Sequence, residues 1–453
     1  MDIVTDQCRI GRNHRLKLRI PAFIVILTAL TLPAPADSAA QVSSAVLPNG
    51  TKVIIREGHT VNLAAVDIWV RAGSVHESSA NNGISHFVEH MIFKATRKYG
   101  PGQADREIEG LGAELNGGTS KDWVHFYTTV ASEYLPTALD VLSDAITNAR
   151  FQSEDIDKER QVLTDEIARA DSNPTQRAFN LFSSVVYATH PYGLTPTGSK
   201  EVIGKLTRDD LVAYYNRYYT PANTIVSIAG DVSTSDAVSL VRKSFSGFNR
   251  ASTTGSAAPP DELPITTPRE KQFDSRTSQA YVIFGYVAPP ISRFNDACAL
   301  DIILALLGDT HRGRICSALT EKGIQFGEIK TDFMSQRYPS AISTIVAVNP
   351  KDEDAVVDVL RAEYRRLADE TVTAGELEQA QRLVAGGDLF DQETFSGQAR
   401  SLGLYESIAS YDLSMKYTPT VASITAADVS NVAARYFGMS NYCLVKIQPG
   451  KGK

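Results

Sequence analysis

LTRDDLVAYYNRYYTPANTIVSIAG, residues Leu206–Gly230, carries the pattern from which the architecture is read. Thr207 stands as a candidate N-cap ahead of a helix, Pro221 lies in a turn, and the apolar run after it has the composition of a buried strand. The same order returns 218 residues later as ITAADVSNVAARYFGMSNYCLVKIQ, Ile424–Gln448. At constant offset Thr207 matches Thr425, Asp210 matches Asp428, Arg217 matches Arg435, Tyr218 matches Tyr436 and Asn223 matches Asn441. Amphipathic helices share patterns by chance, but identities on both sides of the turn favour an internal duplication.

Between the copies, Ala251–Pro268 (ASTTGSAAPPDELPITTP) is dense in Gly, Pro, Ser and Thr without apolar periodicity, which predicts an exposed linker between a domain at 41–250 and a second at 269–453. Apolar strand patterns at Val53–Arg56, Ala64–Val70, Ala280–Val287 and Ile342–Val348 mix with several long helices in both halves. Strands and helices do not alternate regularly. That order predicts an α+β protein of two homologous domains, each a mixed or antiparallel sheet packed with several helices.

The chain has 453 residues, 43% hydrophobic and 21% charged, which suits two or three globular domains. Residues 1–40 differ from the rest. Arg9, Arg12, Arg15, Lys17 and Arg19 precede the apolar run Pro21–Leu32, and small residues follow as far as Ala39 and Ala40. This pattern predicts a secretory signal peptide cleaved near Ala40 and export, to the periplasm in a bacterium. The membrane is reached only if the leader stays uncleaved, and the apolar run is short of the ~20 residues of a comfortable span. Losing five basic and three acidic residues with the leader moves the net charge from -7 to -9, which argues against a nucleic-acid partner. Cys298, Cys316 and Cys443 remain, enough for one disulfide at most, so the cores must hold the fold.

Chemistry concentrates in GISHFVEHMIFK, Gly83–Lys94. At about 100° per residue His86, Glu89 and His90 share one helix face, while Ile84, Phe87, Val88, Met91 and Ile92 take the other. Two imidazoles one turn apart converge as a tetrahedral zinc ion requires, with Glu89 beside them as a base. Composition predicts roughly 0.01 chance occurrences of His-x-x-Glu-His in this length. Two histidines need a third protein ligand. DIDKERQVLTDEIARA, Asp155–Ala170, reads as a strong helix in which Glu159 and Glu166 differ by only about 20° around the axis, with Val162 and Leu163 between them. A bound cation removes the cost of placing two carboxylates on a partly apolar face, although isolated helix glutamates are usually solvated.

These residues resemble the pitrilysin and mitochondrial-processing-peptidase family of zinc metallopeptidases, with the inverted motif HFVEH. The likeness extends through RAGSVHE (Arg71–Glu77), FVEHMIFKAT (Phe87–Thr96), LGAELNGGTS (Leu111–Ser120), ERQVLTDE (Glu159–Glu166), HPYG (His190–Gly193) and YYTPANTIVSIAGDV (Tyr218–Val232). By resemblance, His86, His90 and Glu166 bind one zinc ion per chain, Glu89 is the general base and Glu159 a carboxylate behind the ligands. Resemblance also makes Ala113–Ser120 an edge strand on which the peptide pairs, with Asn116 touching its backbone and Gly117 and Gly118 letting it approach; a plain Gly-rich turn is the competing reading of that segment. The implied activity is a zinc endopeptidase acting on peptides or unfolded segments, enclosed between paired bowl-shaped halves. The alternative is a non-proteolytic assembly or peptide-binding subunit of the same fold.

One stretch departs from the family. Self-sufficient members carry an arginine and a tyrosine in a segment like LREKLGLAY, whereas Leu319–Phe326 reads LTEKGIQF and puts Thr320 and Phe326 at those places. Threonine has no fixed charge and phenylalanine no hydroxyl to donate. The resemblance therefore implies the zinc-bearing subunit of a heterodimer whose homologous partner supplies the pair, a homodimer being the alternative; Arg312, Arg314 and Arg337 are the arginines nearby in sequence that offer a charge instead.

Overall fold

The computed structural model describes residues 41–251, 259–262 and 264–450, so the expected leader and part of the expected linker lie outside the described residues. Strands β1 (Val42–Val46), β2 (Lys52–Glu57), β3 (Leu63–Val70), β4 (Asn116–Thr119), β5 (Val124–Ala131) and β6 (Thr224–Gly230) form one sheet, in the order β1-β2-β6-β3-β5-β4. Strands β7 (Arg269–Ser275), β8 (Ala280–Ala288), β9 (Phe326–Phe333), β10 (Ser340–Val348) and β11 (Tyr442–Pro449) form the other, in the order β7-β11-β8-β10-β9. Each sheet has one parallel pair, β2 with β6 and β7 with β11, among antiparallel neighbours. Both sheets are mixed and helix-covered, which is the α+β architecture expected.

The duplicated stretch occupies the same place in both sheets. Strands β6 and β11 each sit between the parallel neighbour and the first long antiparallel strand. Helices Arg208–Tyr218 and Ala426–Tyr436 open with identical capping boxes, Thr207 with Asp210 and Thr425 with Asp428. Asn223 and Asn441 each donate a side-chain amide hydrogen bond of 3.0 Å to the carbonyl of Tyr218 and Tyr436. The matched residues are thus those that start the helix and turn the chain into the strand.

Each half also covers the other's sheet. Helix Pro174–Val186 packs Phe182 and Val186 against Ile283 and Val445 of the second sheet. Helix Phe395–Ile408 lays Leu402 among Ile54, Trp69 and Ile225 of the first, and Ser227 Oγ donates to the Ala399 carbonyl at 2.7 Å. Gly403 permits the close approach, since a Cβ there would lie 2.1 Å from Trp69 Nε1. In the described part of the linker, Glu262 accepts from the backbone N–H groups of Thr189 and His190 and from Arg269. Burial opposes its charge, but those donors outweigh it and hold the carboxyl at about 2. Cys298, Cys316 and Cys443 are free thiols, and burial pushes Cys298 and Cys443 up to about 12. Among the described residues no helix is long and apolar enough to cross a membrane.

Helix Ile84–Ile92 begins after Gly83, whose φ of 94° is left-handed and whose Cβ would collide with Gly198 Cα at 2.9 Å. No N-cap side chain serves it. Glu77 does so from the preceding turn: Oε2 accepts from Gly83 N at 2.7 Å and Asn82 Nδ2 at 2.8 Å, and Oε1 accepts from Ser85 N at 2.9 Å and from the Ser85 hydroxyl. A carboxylate buried against free amide N–H groups also complements the helix dipole.

Three substitutions should lower stability in equilibrium denaturation. Phe182→Ala should cost about 3–5 kcal/mol, and Gly403→Ala about 1–3 kcal/mol by overpacking Trp69, each destabilising the half in which the substitution does not lie. Glu77→Gln should cost about 1.5–3 kcal/mol, because the amide cannot accept from all four donors.

Candidate metal centre

Ile84, Phe87, Val88, Met91 and Ile92 are all at most 2% exposed, which docks one side of the helix and turns His86, Glu89 and His90 away from the core. Opposite them runs helix Ser153–Ser172, carrying Glu159 and Glu166. The two carboxylates do share a face, but the apolar residues between them separate: Leu163 is fully buried while Val162 is 40% exposed. Glu166 Oε2 lies 3.7 Å from His86 Nε2 and 3.5 Å from His90 Nε2. One ligand atom from each of His86, His90 and Glu166 falls within 4.8 Å of the others. Zinc ligands at about 2.0–2.1 Å in tetrahedral geometry stand about 3.4 Å apart, so this donor set fits the ion.

Glu159 does not join that set. Its Oε2 accepts from His90 Nδ1 at 3.1 Å and its Oε1 from Lys94 Nζ at 2.7 Å. Giving the Nδ1 proton to Glu159 leaves His90 Nε2 as the free lone pair, pointed at Glu166. Burial works against charge on Glu159, but His90 and Lys94 outweigh it and lower the carboxyl's pKa. His90 is raised: burial pulls it down, while the Glu159 hydrogen bond and the charges of Glu89, Glu166 and Glu159 prevail. Burial, with the charge of His90, takes His86 down to about 3, which keeps it in the neutral form a metal needs. Its Nδ1 is buried without a hydrogen-bond partner among the described residues, so Nε2 is the ring's polar outlet.

Glu89 Oε2 is 3.8 Å from His86 Nε2 and accepts from Thr119 Oγ1 at 3.1 Å. Burial raises its pKa, against the opposing charge of His90 and the Thr119 bond. Thr119 ends β4, the last strand of the first sheet, which pairs only with β5 among the described residues. Asn116–Thr119 is therefore an edge strand rather than a turn. Asn116 and Gly117 are exposed, Gly118 partly so, and a Cβ on Gly117 would come within 3.0 Å of Glu89 Oε1. Lys94, Thr119 and the Asp67–His125 pair behind Gly118 were not singled out by sequence patterning. Thr119 carried a signal, since it alternates onto the same face as Gly117; the long-range contact of Lys94 with Glu159 carried none.

In the second half, Thr320 is exposed and donates to the Cys316 carbonyl at 2.7 Å, and Phe326 opens β9 against the second core. Arg314 pairs with Glu376 at 3.0 Å, Arg312 approaches Asp309 at 3.9 Å, and Arg337 is exposed, its backbone N–H bound to Asp122.

The family Insulinase (Peptidase family M16) matches residues 52–199, and Peptidase M16 inactive domain matches 205–384. A zinc protease of Bacillus subtilis is 26% identical over 406 residues, covering 88% of this chain and 97% of its own. The fold is shared with a protease from Helicobacter pylori (TM-score 0.85, 24% identity, 90% of this chain and 100% of that one). It is shared too with a chain of complex III2 from Candida albicans (TM-score 0.76, 14% identity, 90% and 96%). With both halves matched in tandem and the His86–Glu89–His90 helix inside the first match, the chain belongs to peptidase family M16, the pitrilysin-like metallopeptidases.

Proposed function

We propose that this protein is a zinc endopeptidase of the inverted His-x-x-Glu-His type that cleaves peptides or unfolded polypeptide segments. The observation that carries the reading is the convergence of His86 Nε2, His90 Nε2 and Glu166 Oε2 beside the Glu89 carboxylate, next to an open sheet edge. His86, His90 and Glu166 would hold zinc, which when bound would supply a Lewis acid for the scissile carbonyl and acidify water to a pKa near ~7. Glu89 takes the proton of the attacking water and passes it to the departing amine. Thr119 holds Glu89 against the strand on which the peptide lies. Asn116, Gly117 and Gly118 offer that peptide backbone pairing, which is tolerant of sequence.

The proposal extends to the assembly. With Thr320 and Phe326 in place of a charge and a hydroxyl, the chain is the zinc-bearing subunit of a pair, and a homologous partner contributes the groups that stabilise the oxyanion. The pattern of residues 1–40 supports export and a periplasmic site of action. A second reading, a non-proteolytic subunit, is favoured by the same two residues and by the shared fold of the complex III2 chain.

Zinc content and cleavage of a quenched peptide library, measured for the protein alone and with co-purified proteins, separate these readings. Glu89→Gln should keep its zinc and lose at least ~10²-fold in kcat. Wild type that binds no zinc overturns the proposal, and wild type that binds zinc but cleaves nothing with any partner favours the second reading. Glu159→Gln should weaken zinc affinity about 10–100-fold in a chelator competition, since His90 loses the acceptor that orients it.

A further inference from the structure

The far side of the edge strand carries a second polar feature. Side chains alternate across a strand, so Gly117, Thr119, Val124 and Phe126 face the metal site, and Asn116, Gly118, His125 and Tyr127 face the opposite way. The register pairs Gly118 with His125 and Asn116 with Tyr127, then continues across β3 from His125 to Trp69 and from Tyr127 to Asp67. His125 is 7% exposed and Asp67 2%. His125 Nδ1 lies 3.0 and 3.2 Å from the two Asp67 oxygens. Rings of Trp69, Tyr127 and Trp123, with centroids at 4.3, 5.0 and 5.1 Å, fix the imidazole plane.

The other end of the imidazole reaches the open edge. A Cβ on Gly118 would sit 3.2 Å from His125 Nε2 and 3.3 Å from Cδ2, so the imidazole lies against the space that a side chain at 118 would enter. A strand added beside β4 puts the Cβ of the residue opposite Gly118 about 4.5–5.5 Å away, with nothing on the glycine to screen the ring. In the neutral imidazole Nδ1–H is given to Asp67, and Nε2 keeps a lone pair. Walled by aromatic rings, that lone pair is costly to bury unmatched.

We propose that His125, held by Asp67 behind Gly118, is a specificity-determining residue that accepts a hydrogen bond from a hydroxyl or amide side chain at one position of the bound peptide. The inference rests on the edge strand being the peptide-binding strand. A site built to accept a hydrogen bond rejects the isostere without a donor, so threonine is selected over valine at nearly equal volume.

Binding of labelled peptides to the zinc-loaded full chain carrying Glu89→Gln tests this without cleavage. With threonine or valine scanned through the peptide, one position should prefer threonine about tenfold, the size of one hydrogen bond. Adding His125→Phe should bring the preference to within about twofold with zinc content unchanged. Gly118→Ala, which keeps both Asp67 and His125 but puts a methyl group against Nε2, should do the same and covers the case in which His125→Phe fails to fold. An unchanged preference in both variants overturns the inference, as does selection of aspartate or glutamate at that position. A chain that binds neither zinc nor any peptide overturns the proposed function itself, and this inference with it.

Discussion

A buried carboxylate at a helix N-terminus sets the phase of the helix that carries the candidate metal centre. Glu77 receives the N–H groups of Gly83 and Ser85, the Ser85 hydroxyl and the Asn82 amide, and it starts the helix at Ile84 where the sequence offers no ordinary cap. The start of a helix fixes the phase of every residue on it. With the first turn held there, Phe87, Val88 and Met91 enter the core and His86, Glu89 and His90 come out together on the other side.

From that helix, order passes outward by polar contacts of different kinds. Glu159 accepts a hydrogen bond from His90 Nδ1 and is paired with Lys94, so the orientation of the His90 ring is set by a carboxylate outside the candidate ligand set. Thr119 ties Glu89 to β4, joining that carboxylate to the strand beside it. The same strand presents glycine on both faces, against Glu89 on one and His125 on the other. Residues without side chains therefore leave both polar groups within reach of whatever pairs with the edge. The exchange of covering helices, Pro174–Val186 onto the second sheet and Phe395–Ile408 onto the first, fastens the halves through apolar packing rather than through the linker alone.

The duplication, the mixed α+β architecture and the helix that puts His86, Glu89 and His90 on one face are legible in the amino-acid sequence, because each is local. Capping boxes at Thr207 and Thr425, and the 3.6-residue spacing of His86, Glu89 and His90, are written within a turn or two of chain. Glu159 and Glu166 were legible as a pair for the same reason. Their helix spacing does not distinguish them, and the different roles implied by family resemblance acquire geometry only where two helices cross, with Glu166 near both Nε2 atoms and Glu159 at the Nδ1 of one ring. Tertiary structure alone decided the glutamate beneath the helix start, the interlocked helices and the Asp67–His125 pair, which join residues far apart in sequence and have no periodicity to betray them. Local spacing fixes which side chains share a face; which face meets which is set by packing between segments.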